Sequence, residues 1–276
     1  MARKIKALDR LLEAGVFAGE KEARSAIMAG EVYDASGRRI QSAGQLVDRD
    51  SSLRVRGREI PYVAKGGLKL EGALRDFGLD VTGCVCIDAG ASTGGFTHCL
   101  IRSGAALVYA VDVGFGQLMG SLRQDPRVIN MERTNISDPK LLDLSPRPTL
   151  GTVDLSYLSL RLGIPAFADI LHRQGDLVCL VKPLFEVDDP EARRTGILPD
   201  DAYVPVLSDL IGHINSLPWA RVMQVTHSPV TGNTGTREFF IHTVLGSGLP
   251  AGPDLSRDIR QAADRALQLR EYEKKK

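Results

Sequence analysis

Apolar residues recur along this chain in two rhythms. Between residues 85 and 245, seven short runs rich in Val, Ile, Leu and Phe are separated by longer amphipathic stretches. They lie at 85–88, 107–112, 128–131, 149–154, 177–181, 221–227 and 239–245. Each has the length of a buried strand, and helical spacing fills most of the gaps between them. Strands alternating with helices predict a doubly wound α/β sheet with helices on both faces.

The first part of the chain follows a different pattern. Residues 5–14, "IKALDRLLEA", put Ile5, Leu8, Leu11 and Leu12 on one helical face, with Gly15 suited to the stop. A second helix over 20–29 ends at Gly30. "EVYDASGRRI" and "SSLRVRG" then read as short strands around an Asp-Ala-Ser-Gly turn. Pro61 and the Gly66-Gly67 pair mark a linker, and 68–77 has helical spacing again. The predicted division is a small α+β unit at 1–58, a linker at 59–67, a sheet domain at 68–250 and a helical extension at 251–276.

Composition narrows the function classes. The chain has 276 residues, 43% of them hydrophobic, and a formal net charge of +1. Residues 1–58 hold 12 Lys and Arg against 8 Asp and Glu, so the positive surplus sits in the first unit. A basic unit on a near-neutral body fits a polyanionic partner. The longest apolar runs fall far short of the roughly 20 residues that span a bilayer. "MARKIKALDRLLEAG" lacks the continuous apolar core of a signal peptide, so a cytoplasmic location is expected. Cys84, Cys86, Cys99 and Cys179 have no zinc spacing and are expected to be buried thiols, with no metal bound.

Candidate chemistry begins at "IDAGASTGGFTHCL", residues 87–100. Small residues there link the first run of the sheet to a helix, where an open α/β sheet binds its ligand. Gly90, Gly94 and Gly95 let backbone approach a ligand, and Ser92 offers a hydroxyl. The spacing Gly90-x-x-x-Gly94-Gly95 is wrong for the dinucleotide fingerprint, which disfavours a dehydrogenase. Asp88, at the end of the strand, repels a pyrophosphate and suits a cationic ligand. Asp112 ends the next strand, where a carboxylate accepts from ribose hydroxyls. A positively charged ligand with a ribose and no phosphate is S-adenosyl-L-methionine.

Four charged residues complete the pattern: Lys69 in "AKGGLKLEGAL", Asp154 in "TVDLSYLSL", Lys182 in "LVCLVKPLFEV" and Glu238 in "GTREFFIHTVL". Lysine at the end of a buried strand is costly unless paired. If the last strand is antiparallel and inserted between the fifth and sixth, Asp154, Lys182 and Glu238 meet at one sheet edge. A ribose hydroxyl is a poor nucleophile until its proton is removed. A lysine serves as base only in its neutral form, which burial and a neighbouring cation favour. Lys182 is the expected base, Asp154 and Glu238 the groups that orient, and no metal is required.

The order Lys-Asp-Lys-Glu resembles the FtsJ-like ribose 2′-O-methyltransferases. "DAGASTGGFT", "DVGFGQL", "DPRV…ERTN", "DLSYLSL" and "VKPLFEV" resemble the hemolysin A (TlyA) family, which methylates cytidine riboses in ribosomal RNA. That resemblance implies a Rossmann-like class I methyltransferase sheet of seven strands with the last antiparallel. It adds Ala91, Phe96, Val113, Asn135 and Asp154 to the cofactor set of Asp88, Gly90, Ser92, Gly94, Gly95 and Asp112. "LDRLLEAGVF", "EARSAIMAGEV" and "GQLVDRDSSLRV" resemble the S4 RNA-binding domain. Its basic residues Arg3, Lys4, Lys6, Arg10, Lys21 and Arg24 are the candidate phosphate contacts. The implied partner is ribosomal RNA or a ribosomal subunit, with no membrane. Two other readings remain: a non-catalytic RNA-binding assembly factor of the same fold, and the membrane-active hemolysin of the family's name.

Overall fold

The computed structural model describes residues 4–17, 19–56, 62–156, 158–232 and 235–269. Its centre is a seven-stranded sheet whose strands run, from one edge to the other, 220–227, 239–245, 175–181, 150–153, 85–89, 107–112 and 128–132. The strands are β5 (Val85–Ala89), β6 (Leu107–Asp112), β7 (Val128–Glu132), β8 (Leu150–Val153), β9 (Gly175–Val181), β10 (Ala220–His227) and β11 (Phe239–Leu245). They coincide with the seven apolar runs to within about two residues at either end. β11 is antiparallel to both β9 and β10 and lies between them. The start of β11 therefore meets the carboxyl ends of β8 and β9.

Both faces of the sheet are buried over its five inner strands, which explains why those strands read as nearly continuous apolar runs. The edge strand β7 exposes Ile129 and Asn130. Leu177, Cys179 and Val181 of β9 join one core cluster and Val178 and Leu180 the other. Phe239 and Ile241 of β11 divide from Phe240 in the same way, the period-2 alternation of a strand. The helices α3 (Gly66–Phe77) and α4 (Gly95–Arg102) cover one face. The other face carries α6 (Leu160–Ile170), α9 (Tyr203–Ser216) and α10 (Ser256–Leu267). Three short helices, α5 (Gly120–Arg123), α7 (Pro183–Glu186) and α8 (Pro190–Thr195), lie in the connections. α10 buries Ile259, Ala262, Ala263 and Ala266 in the sheet's core, so it is an integral layer of the sheet domain. The cysteines are free thiols, and Cys86, Cys99 and Cys179 are buried.

The first unit contains β1 (Lys4–Lys6), α1 (Ala7–Glu13), α2 (Glu20–Ala29), β2 (Val32–Tyr33), β3 (Leu46–Asp48) and β4 (Arg54–Val55). The helix expected over 5–14 begins only at Ala7. Lys4–Lys6 instead pairs antiparallel with β3, Ile5 opposite Val47. A partner about 40 residues away decides this, and local spacing does not reveal it. β2 pairs with β4, and Leu8, Leu11, Ile27, Val32, Ile40 and Val55 form a separate small core.

That unit docks on the sheet domain through polar contacts. The Lys65 backbone N–H donates to Glu13 O at 3.1 Å, and the Gly120 N–H donates to Asp50 Oδ1 at 3.1 Å. Arg10 is 5% exposed and donates to Ser51 O and Val63 O. Arg10 is thereby a buried strut between the first unit and residue 63, and it leaves the set of candidate phosphate contacts. The buried guanidinium is itself satisfied by those two carbonyls.

Candidate active site

The carboxyl edge of the sheet opens on a cleft of about 1100 Å³. Asp154 and Lys182 follow directly on β8 and β9, Glu238 precedes β11, and Lys69 sits on the first turns of α3. All four line the cleft. They form two ion pairs: Lys69 Nζ to Glu238 Oε2 at 2.5 Å, and Lys182 Nζ to Asp154 Oδ1 at 2.5 Å. Lys69 and Glu238 are 6% and 5% exposed, whereas the second pair is more open to the cleft. Lys182 Nζ also donates to Ser156 Oγ at 3.1 Å.

On the other side, Gly90, Ala91, Ser92, Gly95, Phe96, Asp112, Val113 and Asn135 line the same cleft. Asp112 is tied to both neighbouring turns: Oδ2 accepts from the Ser92 N–H at 2.8 Å and Oδ1 from the Gly114 N–H at 2.7 Å. A carboxylate has about four acceptor sites, so two remain for a ligand's hydroxyls. Ser92 Oγ is fixed by Gln117 at 3.2 Å.

Two residues expected to touch the ligand face elsewhere. Asp88 is fully buried and does not line the cleft. Its carboxylate accepts from Thr97 Oγ1 at 2.6 Å and Thr152 Oγ1 at 3.0 Å. Burial raises its pKa to about 6 against the opposing pull of those two hydroxyls. Asp88 pairs with Ala110, two residues short of Asp112 at the carboxyl edge, and at that depth α4 covers it through Thr97. Gly94 also lies off the cleft. Its φ of +95° and the Leu118 and Leu122 side chains that would meet a Cβ account for the glycine. At Gly90 a Cβ would collide with the Asp154 carbonyl, so the small residues also let the protein's own backbone close the edge.

Lys65 and Ser156 line the site as well, although neither stands out in the sequence. "AKGGLKL" carried a signal for the first, because Lys65 precedes Lys69 by four residues, the spacing of one helical face. Lys65 Nζ donates to Thr231 O at 3.3 Å. Burial, then the nearby Lys69 charge, lowers its pKa to about 8. Ser156 was hidden because serine in a loop has no pattern of its own. Leu12, Glu13 and Arg49 of the first unit complete the cleft wall, with Arg49 and Glu13 paired at 3.0 Å.

Of the basic residues of the first unit, Lys4 is exposed and paired with Asp48 at 2.9 Å. Arg24 is exposed and paired with Glu20, and Lys6 and Lys21 are exposed. Arg3 lies outside the described residues. Among the described residues no group of His, Cys, Asp and Glu could hold a metal ion, and no helix is long and apolar enough to cross a membrane.

A seven-stranded sheet in this order, with one antiparallel strand and a charged cleft at the carboxyl edge, defines a Rossmann-like methyltransferase. The family description FtsJ-like methyltransferase matches residues 62–244. The chain belongs to that family, whose methyl donor is S-adenosylmethionine. The 16S/23S rRNA (cytidine-2′-O)-methyltransferase TlyA of Mycobacterium tuberculosis is 37% identical over 242 residues, covering 87% of this chain and 90% of that one. The Bacillus subtilis protein YqxC is 40% identical over 247 residues, 88% of this chain and 86% of its own. A solved structure from Streptococcus thermophilus superposes with a TM-score of 0.78 at 34% identity and covers 97% of both chains.

Proposed function

We propose that this protein transfers a methyl group from S-adenosylmethionine to the 2′-hydroxyl of a cytidine ribose in ribosomal RNA. The observation that carries the reading is the meeting of two lysine–carboxylate pairs in one cleft beside the glycine turn. The cleft fits the donor: Asp112 retains acceptor sites for ribose hydroxyls, and Gly90, Ala91, Ser92, Gly95, Phe96, Val113 and Asn135 surround the remaining space. When bound, S-adenosylmethionine supplies an electrophilic methyl group on a sulfonium.

The chain's own residues have three tasks. Lys182 is the group that takes the proton of the 2′-hydroxyl, and Asp154 and Ser156 aim its Nζ. Lys69, held by Glu238, places a fixed positive charge beside the oxygen as negative charge develops there. The cleft walls align oxygen with methyl carbon and exclude water, and that alignment accounts for a large share of the acceleration.

We assign the first unit an S4-like RNA-holding role. Its exposed Lys4, Lys6, Lys21 and Arg24 support this reading. The identity to the TlyA enzyme supports cytidine in ribosomal RNA as the substrate.

The test is a map of 2′-O-methyl groups in ribosomal RNA from cells with and without the protein, and from cells carrying Lys182→Ala. A methylated cytidine seen only with the active protein is expected. Identical maps, together with no methyl transfer to purified subunits, overturn the assignment. Dye release from liposomes at equal protein concentration addresses the hemolysin reading, and no release is expected.

A further inference from the structure

We propose that Lys65 anchors the RNA backbone: its ammonium takes the phosphodiester that flanks the ribose to be methylated. The inference rests on the function proposed above and adds a binding contact on the acceptor side of the cleft.

Position comes first. Lys65 lines the cleft one helical turn before Lys69. Its Nζ is held by the carbonyl of Thr231, in the segment that leads to Glu238. The charges it feels are those of Lys69, Glu238 and Asp154. In the sheet order, Glu238, Lys182 and Asp154 belong to β11, β9 and β8, while the glycine turn and Asp112 belong to β5 and β6. The backbone beside Lys65 packs against Gly95 and Phe96 of the glycine turn, but its Nζ reaches the other way, to Thr231 and the charges around the reacting hydroxyl.

Charge gives the second argument. The charged side chains lining the cleft are Glu13, Arg49, Lys65, Lys69, Asp112, Asp154, Lys182 and Glu238. Six of them form three pairs: Arg49 with Glu13, Lys69 with Glu238, and Lys182 with Asp154. Asp112 and Lys65 are left over. S-adenosylmethionine carries one more positive than negative charge, which balances Asp112. Lys65 then has no counter-ion among the described residues, and a half-buried ammonium without one is costly. Its lowered pKa has the same origin, burial first and the neighbouring Lys69 second.

A nucleotide entering ribose-first brings an anionic phosphodiester next to that ribose. Ammonium to phosphate is a charge-assisted hydrogen bond and removes the cost. The contact is one that positions the substrate without reading its sequence.

The experiment uses the full-length protein, ribosomal subunits from cells lacking this methylation, and donor labelled in its methyl group. Lys65→Gln keeps an N–H for the Thr231 carbonyl and removes only the charge. The KM for subunits should rise at least about tenfold, the worth of a hydrogen bond to a charged group. The slope of log affinity against log salt should flatten by about 0.7–0.9, one phosphate's share. Affinity for S-adenosylmethionine, measured by calorimetry, should stay as in the wild type. Lys65→Arg should restore KM and slope together.

Unchanged KM and slope in Lys65→Gln, with the wild type active on subunits, overturn this inference alone. A fall in donor affinity instead assigns the ammonium to the donor's carboxylate and also overturns it. A drop in kcat at unchanged KM places Lys65 in the chemistry and overturns it too. A wild type that methylates no ribosomal RNA defeats the proposed function and takes this inference with it.

Discussion

The ammonium of Lys69 and the carboxylate of Glu238 are 2.5 Å apart although 169 residues separate them in sequence. Both are almost wholly shielded from water. Removing one partner strands the other charge in the interior, which costs about 3–5 kcal/mol. Glu238→Ala should therefore lower stability in denaturant titration by that amount. The double change Lys69→Met with Glu238→Leu should cost less than Glu238→Ala alone. A single variant as stable as the wild type would show that the pair is open to water in solution.

The pair of Lys182 and Asp154 is more exposed and faces the cleft, so its loss should be felt in turnover before stability. Lys182→Ala should reduce methyl transfer by about 10²–10⁴, the range for general acid–base groups. Donor affinity should change little, because Lys182 lies with the acceptor-side charges. Ser156→Ala should show a smaller fall in kcat, since Asp154 still holds the lysine. Wild-type turnover of Lys182→Ala on ribosomal subunits would sink the assignment of the base.

Asp88 makes the stability of the fold depend on pH in an unusual direction. Its pKa is about 6 in the folded chain against an ordinary 3.8, because burial disfavours the charged form. Between those values the folded protein binds more protons than the unfolded chain. Stability from this group is therefore lost as pH rises from about 4 to 6. The shift corresponds to roughly 3 kcal/mol. Asp88→Asn removes the titration while keeping groups that hydrogen-bond Thr97 and Thr152. Its stability relative to the wild type should grow from pH 4 to pH 6 and then level off. A constant difference across that range contradicts the prediction.

The glycine spacing alone predicts that Gly94→Val blocks the donor by filling its space. The structure assigns the damage to the protein itself, since a Cβ there meets Leu118 and Leu122 and φ is +95°. Even Gly94→Ala should lose about 1–3 kcal/mol of stability, the cost of holding a side chain in such a backbone conformation. Melting curves should show the loss, and donor affinity should fall only in step with the folded fraction. A fully stable Gly94→Ala with no donor binding would place Gly94 against the donor after all.

The exposed cations of the first unit yield a salt-dependent prediction. Changing Lys4, Lys6, Lys21 and Arg24 together to Ala should weaken binding to ribosomal subunits. The salt slope should fall by about 0.7–0.9 for each phosphate that the variant no longer neutralises. Arg10 does not belong in that set: Arg10→Ala should act on stability, because it withdraws hydrogen bonds from Ser51 and Val63. Equal subunit affinity and slope in the quadruple variant would remove the S4-like role from residues 1–58.

Much of the sheet domain was legible in the sequence. The five inner strands were plain because both faces of a doubly wound sheet are buried there. The edge strands β7 and β10, partly exposed, keep enough Val, Ile and Met to be seen. Strand ends at the carboxyl edge are where charged residues can reach a cleft, and Asp154, Lys182 and Asp112 stand there. The Gly30 stop of α2 was equally plain, as its left-handed backbone suits glycine.

Other features required the fold. The sequence around Lys4–Lys6 has helical spacing, and only pairing with Leu46–Asp48 makes it a strand. Asp88 pairs with Ala110, so Asp112 stands two residues nearer the carboxyl edge on the same sheet face. Only the fold shows that the first is covered by Thr97 and Thr152 while the second reaches the cleft. The carboxylates and lysines announced a charged site, but which lysine pairs with which acid depends on contacts across 28 to 169 residues. Arg10 reads as a surface charge until two carbonyls are brought against it, and Lys65 reads as linker until the first unit and the segment before β11 close around it. Local periodicity reports what each segment must bury. Partners distant in sequence meet only after chain topology is set, and that meeting decided the charge pairing and wall of the cleft.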